Sequence, residues 1–174
     1  MNYIIDGFKA FCGNYMLMSA IMGWFFAQVI KIFTNLFVKK KLDIRMMFAN
    51  GGMPSSHSAT VLALTTAAAI ACGIGSAEFA ISAILSVIVM NDAFGVRWEA
   101  SKQAQIINKM IIELFSTKDA FDIKLKEIIG HTPFQVFMGA LLGFVIAVGY
   151  ALILRGVTGH FPTMESAHPF FVLK

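Results

Sequence analysis

The chain has 174 residues, of which 57% are hydrophobic and 14% charged, and its mean hydropathy is +0.73. About a quarter of the residues of a soluble domain are charged, so this composition excludes a protein whose surface lies mostly in water. The net charge of +4 is weak evidence for nucleic acid binding, and we expect no nucleic acid partner. Cys12 and Cys72 lie far apart in apolar segments, which is typical of buried thiols and not of a disulfide or a metal pair.

The N-terminal residues 1–11 are too short and too charged to cross a membrane, since they include Asp6 and Lys9. They lack the basic start and apolar run of a cleavable signal peptide, so we predict an interfacial segment or a short helix. A spanning helix needs about 20 mostly apolar residues, and residues 15–38 form the first such stretch. Its polar positions are Gln28, Lys31 and Asn35. Lys31 either snorkels to the surface or binds an anion at the mouth of the bundle.

A segment rich in glycine and serine lies before the second span, 58–74, with the sequence Gly51-Gly52-Met53-Pro54-Ser55-Ser56-His57-Ser58-Ala59. Glycine lets a backbone approach a ligand closely, and the N–H groups of a helix start with flanking Ser hydroxyls form an anion site. Gly52, Ser55 and Ser56 are therefore candidate phosphate-binding residues. His57 is a candidate donor of a proton to a phosphate ester oxygen. The alternative is a helix cap followed by a surface histidine.

The third span, 77–96, ends in the sequence Asn91-Asp92-Ala93-Phe94-Gly95-Val96-Arg97. Ionisable groups at membrane depth are costly, so Asp92 and Arg97 are candidate functional residues. A structural ion pair between them fits the pattern equally well.

The polar segment 97–133 contains an amphipathic helix, because apolar residues recur in it at helical spacing. These residues are Trp98, Ile106, Ile107, Met110, Ile111, Leu114 and Phe115, with Lys102, Gln105, Lys109 and Glu113 between them. Such a helix lies at the headgroup level or packs on the bundle. A plain connector and a substrate-contacting element are equally compatible with the pattern.

A second histidine, His131, lies just before the fourth span, 134–154. Neutral imidazole attacks phosphorus well, so His131 is a candidate covalent nucleophile. Gln135 follows one helical turn later, on the same face, and is placed to orient the His131 ring. The alternative is a histidine that only anchors the helix in the headgroups.

Basic residues are concentrated in the two long polar segments, 39–57 and 97–133, which four spans place on one side of the membrane. These segments hold Lys39, Lys40, Lys41, Arg45, Arg97, Lys102, Lys109, Lys118, Lys124 and Lys126. The opposite side has Lys9, Arg155 and Lys174. The positive-inside rule therefore places both loops in the cytoplasm and both termini outside.

From these spans we predict an all-α fold: one integral membrane domain over residues 1–174, with about four transmembrane helices and a cytoplasmic amphipathic helix. We expect a homodimer, because four spans bury little surface, and a location in a bacterial plasma membrane.

The candidate residues come from four spans, yet all approach one membrane face. Two histidines and several cations around a Gly/Ser anion site suit phosphoryl transfer, in which one histidine attacks and the other protonates the leaving group. The histidines are not at metal-ligand spacing and there is no dense carboxylate or cysteine cluster, so we expect neither a metal nor another cofactor.

The candidate segments resemble the type 2 phosphatidic acid phosphatase superfamily, which includes vanadium haloperoxidases. The sequence Pro54-Ser55-Ser56-His57 is similar to its Pro-Ser-Gly-His motif, and His131-Thr132-Pro133-Phe134-Gln135-Val136 with Gly139 resembles its motif His-x-Pro-x-Asp-Val-x-x-Gly. The likeness is closer to a divergent branch, the acid phosphatase/vanadium-dependent haloperoxidase-related membrane proteins, and runs from about Asn14 to Gly143. That likeness includes Ala27-Gln28-Val29-Ile30-Lys31 and Leu125-Lys126-Glu127-Ile128-Ile129-Gly130.

The resemblance implies that His131 is a nucleophile that forms a phosphohistidine, that His57 is the general acid, and that Ser55 and Ser56 bind phosphate. The chain departs from the superfamily pattern in its basic residues. The first motif, Lys-x6-Arg-Pro, has no clean counterpart, so Lys31 is our substitute, since Arg45 lacks the following proline. The arginine of the third motif falls on Leu125, which leaves Lys126 or Arg97 to serve.

Gln135 stands where the superfamily has the aspartate that orients the histidine. A neutral amide holds the ring but stabilises an imidazolium poorly. The expected function is hydrolysis of a lipid phosphomonoester that enters from the inner leaflet, with phosphatidylglycerol phosphate, phosphatidic acid and polyprenyl phosphates as candidates. A lipid-phosphate carrier or flippase without catalysis and a membrane assembly subunit are the alternatives.

Overall fold

The computed structural model describes residues 2–39, 52–114, 125 and 130–163, and within these residues the secondary structure is entirely helical. The helices are α1 (Asn2–Gly13), α2 (Tyr15–Lys39), α3 (Ser56–Cys72), α4 (Ala77–Phe94), α5 (Val96–Leu114) and α6 (Pro133–Thr158). Among the described residues, three apolar helical stretches are long enough to cross a membrane, Tyr15–Phe37, Ala77–Glu113 and Pro133–Thr158, and α3 is a shorter apolar helix. The predicted all-α membrane bundle is confirmed.

The helix ends are set by caps that the span predictions did not include. Helix α3 begins two residues before the predicted span, because the Ser55 side chain accepts the backbone N–H of Ser58. Helix α6 continues past the predicted end at 154 to Thr158, and Gly159 ends it in the left-handed conformation (φ 82°) that favours glycine. The amphipathic helix that was predicted within 97–133 is α5, and α1 is the expected short N-terminal helix.

Helix α3 lies at the centre of the bundle and packs against α2, α4 and α6. Its buried positions are small residues, including Ala59, Ala63 and Ala67, which have no exposed surface. Small side chains let helix backbones approach closely, and this is how helices associate in lipid, where apolar burial between helices gains little.

Glycines on the neighbouring helices bring two backbones against Ala59 of α3. A Cβ atom added at Gly143 of α6 would collide with the Ala59 carbonyl oxygen, and one added at Gly23 of α2 would lie 2.8 Å from the same atom. Gly139, one turn nearer the start of α6, faces the carbonyl oxygen of Ser55 in the same way. Backbone contacts with α2 and α6 therefore fix the first turns of α3 between these two helices.

Hydrogen bonds inside the bundle connect α2 with α6 and α3 with α4 at positions away from this contact. The Tyr15 hydroxyl of α2 donates to the Ala147 carbonyl of α6 at 2.7 Å. Between α3 and α4, the hydroxyls of Thr65 and Ser86 are 2.7 Å apart, and Ser86 donates to the Val61 carbonyl. Helix α4 thus packs on α3 through hydroxyl groups, while its aliphatic side chains, such as Ile81 and Ile88, remain exposed.

We expect Gly143→Ala to lower the stability of the folded protein by about 1–3 kcal/mol, because the added methyl group overpacks the contact with α3. Thermal unfolding in detergent measures this loss. Gly149→Ala is the matched control in the same helix, since a Cβ there has no atom within 4 Å, and the better helix propensity of alanine should leave stability equal or higher. Equal stability of the two variants would contradict the close α3–α6 contact.

Candidate functional site

The segment that leads into α3 is fixed to both neighbouring helices. Gly52 has φ 89°, a conformation that side chains other than glycine rarely adopt. The Thr34 hydroxyl of α2 donates to the Met53 carbonyl at 2.9 Å, and the Ser55 backbone N–H donates to the Gln135 carbonyl of α6 at 3.1 Å. The start of α3 therefore has a fixed place between α2 and α6.

The two adjacent serines at this helix start have different roles. Ser55 is fully buried, and its hydroxyl oxygen accepts the N–H and the O–H of Ser58, so it serves as the helix cap. Ser56 instead accepts a hydrogen bond from the Lys31 ammonium at 3.1 Å. Of the predicted pair, Ser56 is the one whose hydroxyl faces a charged group.

Lys31 is buried, with 2% of its surface exposed, and does not snorkel to the surface. An ammonium group has three N–H donors, and in the described part of the chain its acceptor is Ser56. No carboxylate among those residues forms an ion pair with it. Burial of an unpaired charge is costly, so this lysine is suited to receive an anion.

His131 is buried beside the junction of α4 and α5. Its backbone N–H donates to the Ala93 carbonyl at 3.0 Å, and the N–H of Gly130 donates to the Ser101 hydroxyl at 3.0 Å. A Cβ at Gly130 would collide with the backbone of Arg97 and Trp98. The glycine before the histidine is therefore required for this close approach.

The tautomer of His131 follows from the cap of α6. The Thr132 backbone N–H donates to Gln135 Oε1 at 3.1 Å, within a capping box that Thr132 Oγ1 completes by accepting the Gln135 N–H. That bond identifies Oε1 as the amide oxygen, which lies 3.3 Å from His131 Nδ1. An oxygen acceptor requires a proton on Nδ1. The neutral ring therefore carries its lone pair on Nε2.

The surroundings of His131 favour its neutral form. Burial lowers the pKa of His131, the hydrogen bond to Gln135 opposes this in part, and the positive charges of Lys31 and Arg97 and the ring of His57 lower it further. These groups, which come from α2, α3 and α5, act on one imidazole at the start of α6. A neutral imidazole is the nucleophilic form.

His57 and the Asp92–Arg97 pair lie at the exposed side of this cluster. His57 is exposed in the first turn of α3. Arg97 Nε forms an ion pair with Asp92 Oδ2, and their side chains are 43% and 39% exposed. The structural pairing that the sequence left open is therefore present, and the remaining guanidinium N–H groups can still bind an oxyanion. Lys126, the other predicted cation, lies outside the described residues.

Helix α5 contributes a buried polar face that sequence analysis missed. Asn108 is 3% exposed, and its side chain both donates to the Leu125 carbonyl and accepts the Leu125 N–H, at 2.9 Å each. Ser101 is equally buried and holds Gly130. Polar residues at i and i+7 of a helix share a face, so their spacing was the available signal. These two residues hold Leu125 and Gly130, the second of which directly precedes His131.

Comparison with known proteins shows that the chain is similar to one family and to a bacterial membrane protein. The Divergent PAP2 family matches residues 12–146 of this chain. The "Uncharacterized membrane protein YuiD" of Bacillus subtilis (strain 168) is 43% identical over 146 residues, which is 78% of this chain and 92% of that protein. No solved structure matches the chain.

We expect the His131 ring to titrate below the ordinary histidine pKa of about 6.5 and to carry its proton on Nδ1, as measured by ¹⁵N NMR of labelled protein. Gln135→Glu keeps the length and the capping bond but adds a carboxylate, which favours the imidazolium and should raise the pKa of His131.

The matched control is Gln103→Glu, which makes the same charge change on the exposed face of α5 and should leave the His131 titration almost unchanged. Equal shifts in the two variants would mean that Gln135 is not the partner of the His131 ring.

Proposed function

Because the chain belongs to the Divergent PAP2 family, we propose that it is a membrane phosphatase that hydrolyses a lipid phosphomonoester at the cytoplasmic face. The observation that carries the proposal is the buried His131 imidazole, whose Nδ1 bonds Gln135 Oε1, so that the neutral form of the ring has its lone pair on Nε2. The buried Lys31 ammonium beside Ser56 supplies an anion site near this nucleophile.

In the first step, His131 Nε2 attacks phosphorus, and the P–N bond forms as the P–O bond to the lipid breaks. Protonated His57 gives its proton to the departing oxygen, so the lipid leaves as an alcohol. Partial burial and the positive charges of Arg97 and Lys31 lower the pKa of His57 in the free protein, and the negative charge of the bound phosphate opposes this by favouring the protonated form. Lys31, Arg97 and Ser56 stabilise the phosphoryl oxygens.

In the second step, water attacks phosphorus on the face that the lipid left. His57, now neutral, accepts the water proton. The electron pair of the P–N bond returns to Nε2, and inorganic phosphate leaves. The cycle restores neutral His131 and protonated His57, so no other reactant is needed.

The lipid, the side of the membrane and the oligomer are parts of this proposal that rest on the sequence. The excess of basic residues in 39–57 and 97–133 supports a cytoplasmic site. Phosphatidylglycerol phosphate, phosphatidic acid and polyprenyl phosphates all remain candidates. The homodimer stays a prediction.

A lipid-phosphate carrier is the second candidate, because Lys31 suits anion binding without chemistry and Gln135 lacks the charge of a carboxylate. A carrier binds phosphorylated lipids without releasing phosphate. Its binding should respond strongly to Lys31→Met and weakly to His131→Ala. An assembly subunit, the remaining alternative, should tolerate changes at both histidines.

We expect the wild-type protein in liposomes to release phosphate from at least one of the three candidate lipid phosphates, and His131→Ala to reduce release to background. A phosphoryl group that is labile to acid should form on wild-type protein and not on His131→Ala. His160→Ala is the control, because its ring bonds the Thr158 carbonyl beyond the far end of α6. Full activity of His131→Ala would exclude the mechanism.

The role of His57 is tested by comparing two substrates whose leaving oxygens differ in basicity. His57→Ala should slow lipid hydrolysis by about 10²–10⁴-fold, the usual contribution of a general acid. With para-nitrophenyl phosphate, whose leaving oxygen needs little protonation, the loss in the first step should be much smaller. The rate of single-turnover nitrophenol release measures that step. An equal loss with both substrates would assign His57 a binding role.

A further inference from the structure

Gln28 is a buried polar residue that the proposed mechanism does not use. It lies in α2 and is 6% exposed. Its side-chain oxygen, Oε1, is buried and has no hydrogen-bond donor within the described part of the chain. Nine-tenths of buried polar groups in proteins have a partner, and an unsatisfied one requires an explanation.

The position of Gln28 relates it to the anion site. Residues three apart on a helix share a face, so Gln28 lies one turn below Lys31, whose ammonium contacts Ser56 at the start of α3. Gly23, five residues earlier, brings this part of α2 against the backbone of Ala59. Gln28 therefore shares a face of α2 with Lys31 and lies one turn nearer the contact between α2 and α3 at Ala59.

A carbonyl oxygen accepts hydrogen bonds and cannot donate them. The Lys31 ammonium suits the negative oxygens of a phosphate, whereas Gln28 Oε1 needs an O–H or N–H group. We propose that Gln28 is a specificity-determining residue, which selects phosphate compounds that present an O–H donor beside their negative oxygens. This inference rests on the proposed function for its lipid substrate, but the anion selectivity can be tested separately.

Two sources of that O–H group are chemically available. The first is the phosphate itself, since a monoprotonated phosphoryl group has a P–O–H bond. The second is a hydroxyl on the carbon next to the one that bears the phosphate. Phosphatidylglycerol phosphate has that hydroxyl, phosphatidic acid has an ester there, and polyprenyl phosphates have none.

The informative variant is Gln28→Met, which keeps the length of the side chain and removes the acceptor. Because it also removes a buried unsatisfied group, its thermal stability should equal or exceed that of the wild type. Ser19→Ala is the control: Ser19 is a fully buried polar residue of the same helix whose hydroxyl bonds the Tyr15 carbonyl. Ser19→Ala should leave unchanged both the preference for phosphate over sulfate and the preference between two lipid substrates.

The first measurement compares the binding of inorganic phosphate and sulfate to purified protein at alkaline pH, where both carry two negative charges but only phosphate has an O–H group. If the phosphate is the donor, the wild type binds phosphate about 10- to 100-fold more tightly than sulfate, as expected for a site whose buried acceptor needs a partner. Gln28→Met then loses this preference by binding phosphate more weakly.

The second measurement compares phosphate release from phosphatidylglycerol phosphate and from phosphatidic acid. If the headgroup hydroxyl is the donor, the wild-type kcat/KM ratio favours the former by about tenfold or more, and Gln28→Met brings the ratio close to one. If wild type and Gln28→Met show the same anion preference and the same lipid ratio, the inference is wrong, and Gln28 is a structural residue.

The two proposals fail in different ways. A wild type that discriminates phosphate from sulfate through Gln28 but releases no phosphate from any lipid would refute the phosphatase and support the inference. A wild type that hydrolyses lipids, with an anion preference and a lipid ratio that Gln28→Met both leaves unchanged, would support the phosphatase and refute the inference.

Discussion

The backbone contact of α3 with α2 and α6 is the constraint on which the rest of the structure depends. Gly23 and Gly143 both face the carbonyl oxygen of Ala59, so the three helices are closer there than any larger side chain would permit. That distance allows the Lys31 ammonium to reach Ser56 and the Ser55 N–H to reach the Gln135 carbonyl. The charged and polar groups at this end of the bundle thus have fixed places because small residues pack beneath them.

Polar groups are tolerated at this depth because the helix caps beside this contact supply their hydrogen-bond partners. In lipid, each buried N–H and carbonyl must find a partner within the protein, and the caps of α3 and α6 provide these partners. Gln135 Oε1 serves two purposes at once: it satisfies the Thr132 N–H at the helix start, and it fixes the tautomer of His131. Helix α5 completes this support, because Asn108 and Ser101 hold Leu125 and Gly130 ahead of the histidine.

The sequence was sufficient for the helices and for placing the two candidate histidines at the start of two of them. Hydropathy placed all four apolar helices, and the position of His57 and His131 before two of them brought both to one end. The sequence was insufficient where the role of a side chain depends on the group that it contacts. Ser55 and Ser56 are adjacent and chemically identical, yet one is a cap and the other faces Lys31. Lys31 was compatible with snorkelling or burial, and only the packing of α2 against α3 shows that it is buried.

Gln135 provides a neutral amide beside His131 where a carboxylate would add a negative charge. In the proposed mechanism His131 acquires a positive charge when Nε2 bonds phosphorus, and a carboxylate would offset that charge. Here the neutral amide provides orientation alone, and Lys31, Arg97 and burial all disfavour the imidazolium. The charge that compensates it must therefore come from the phosphoryl group itself, whose oxygens are negative and directly bonded to the reacting phosphorus. In the proposed mechanism, the free His131 ring is neutral and nucleophilic, and it is positively charged only while it carries phosphate.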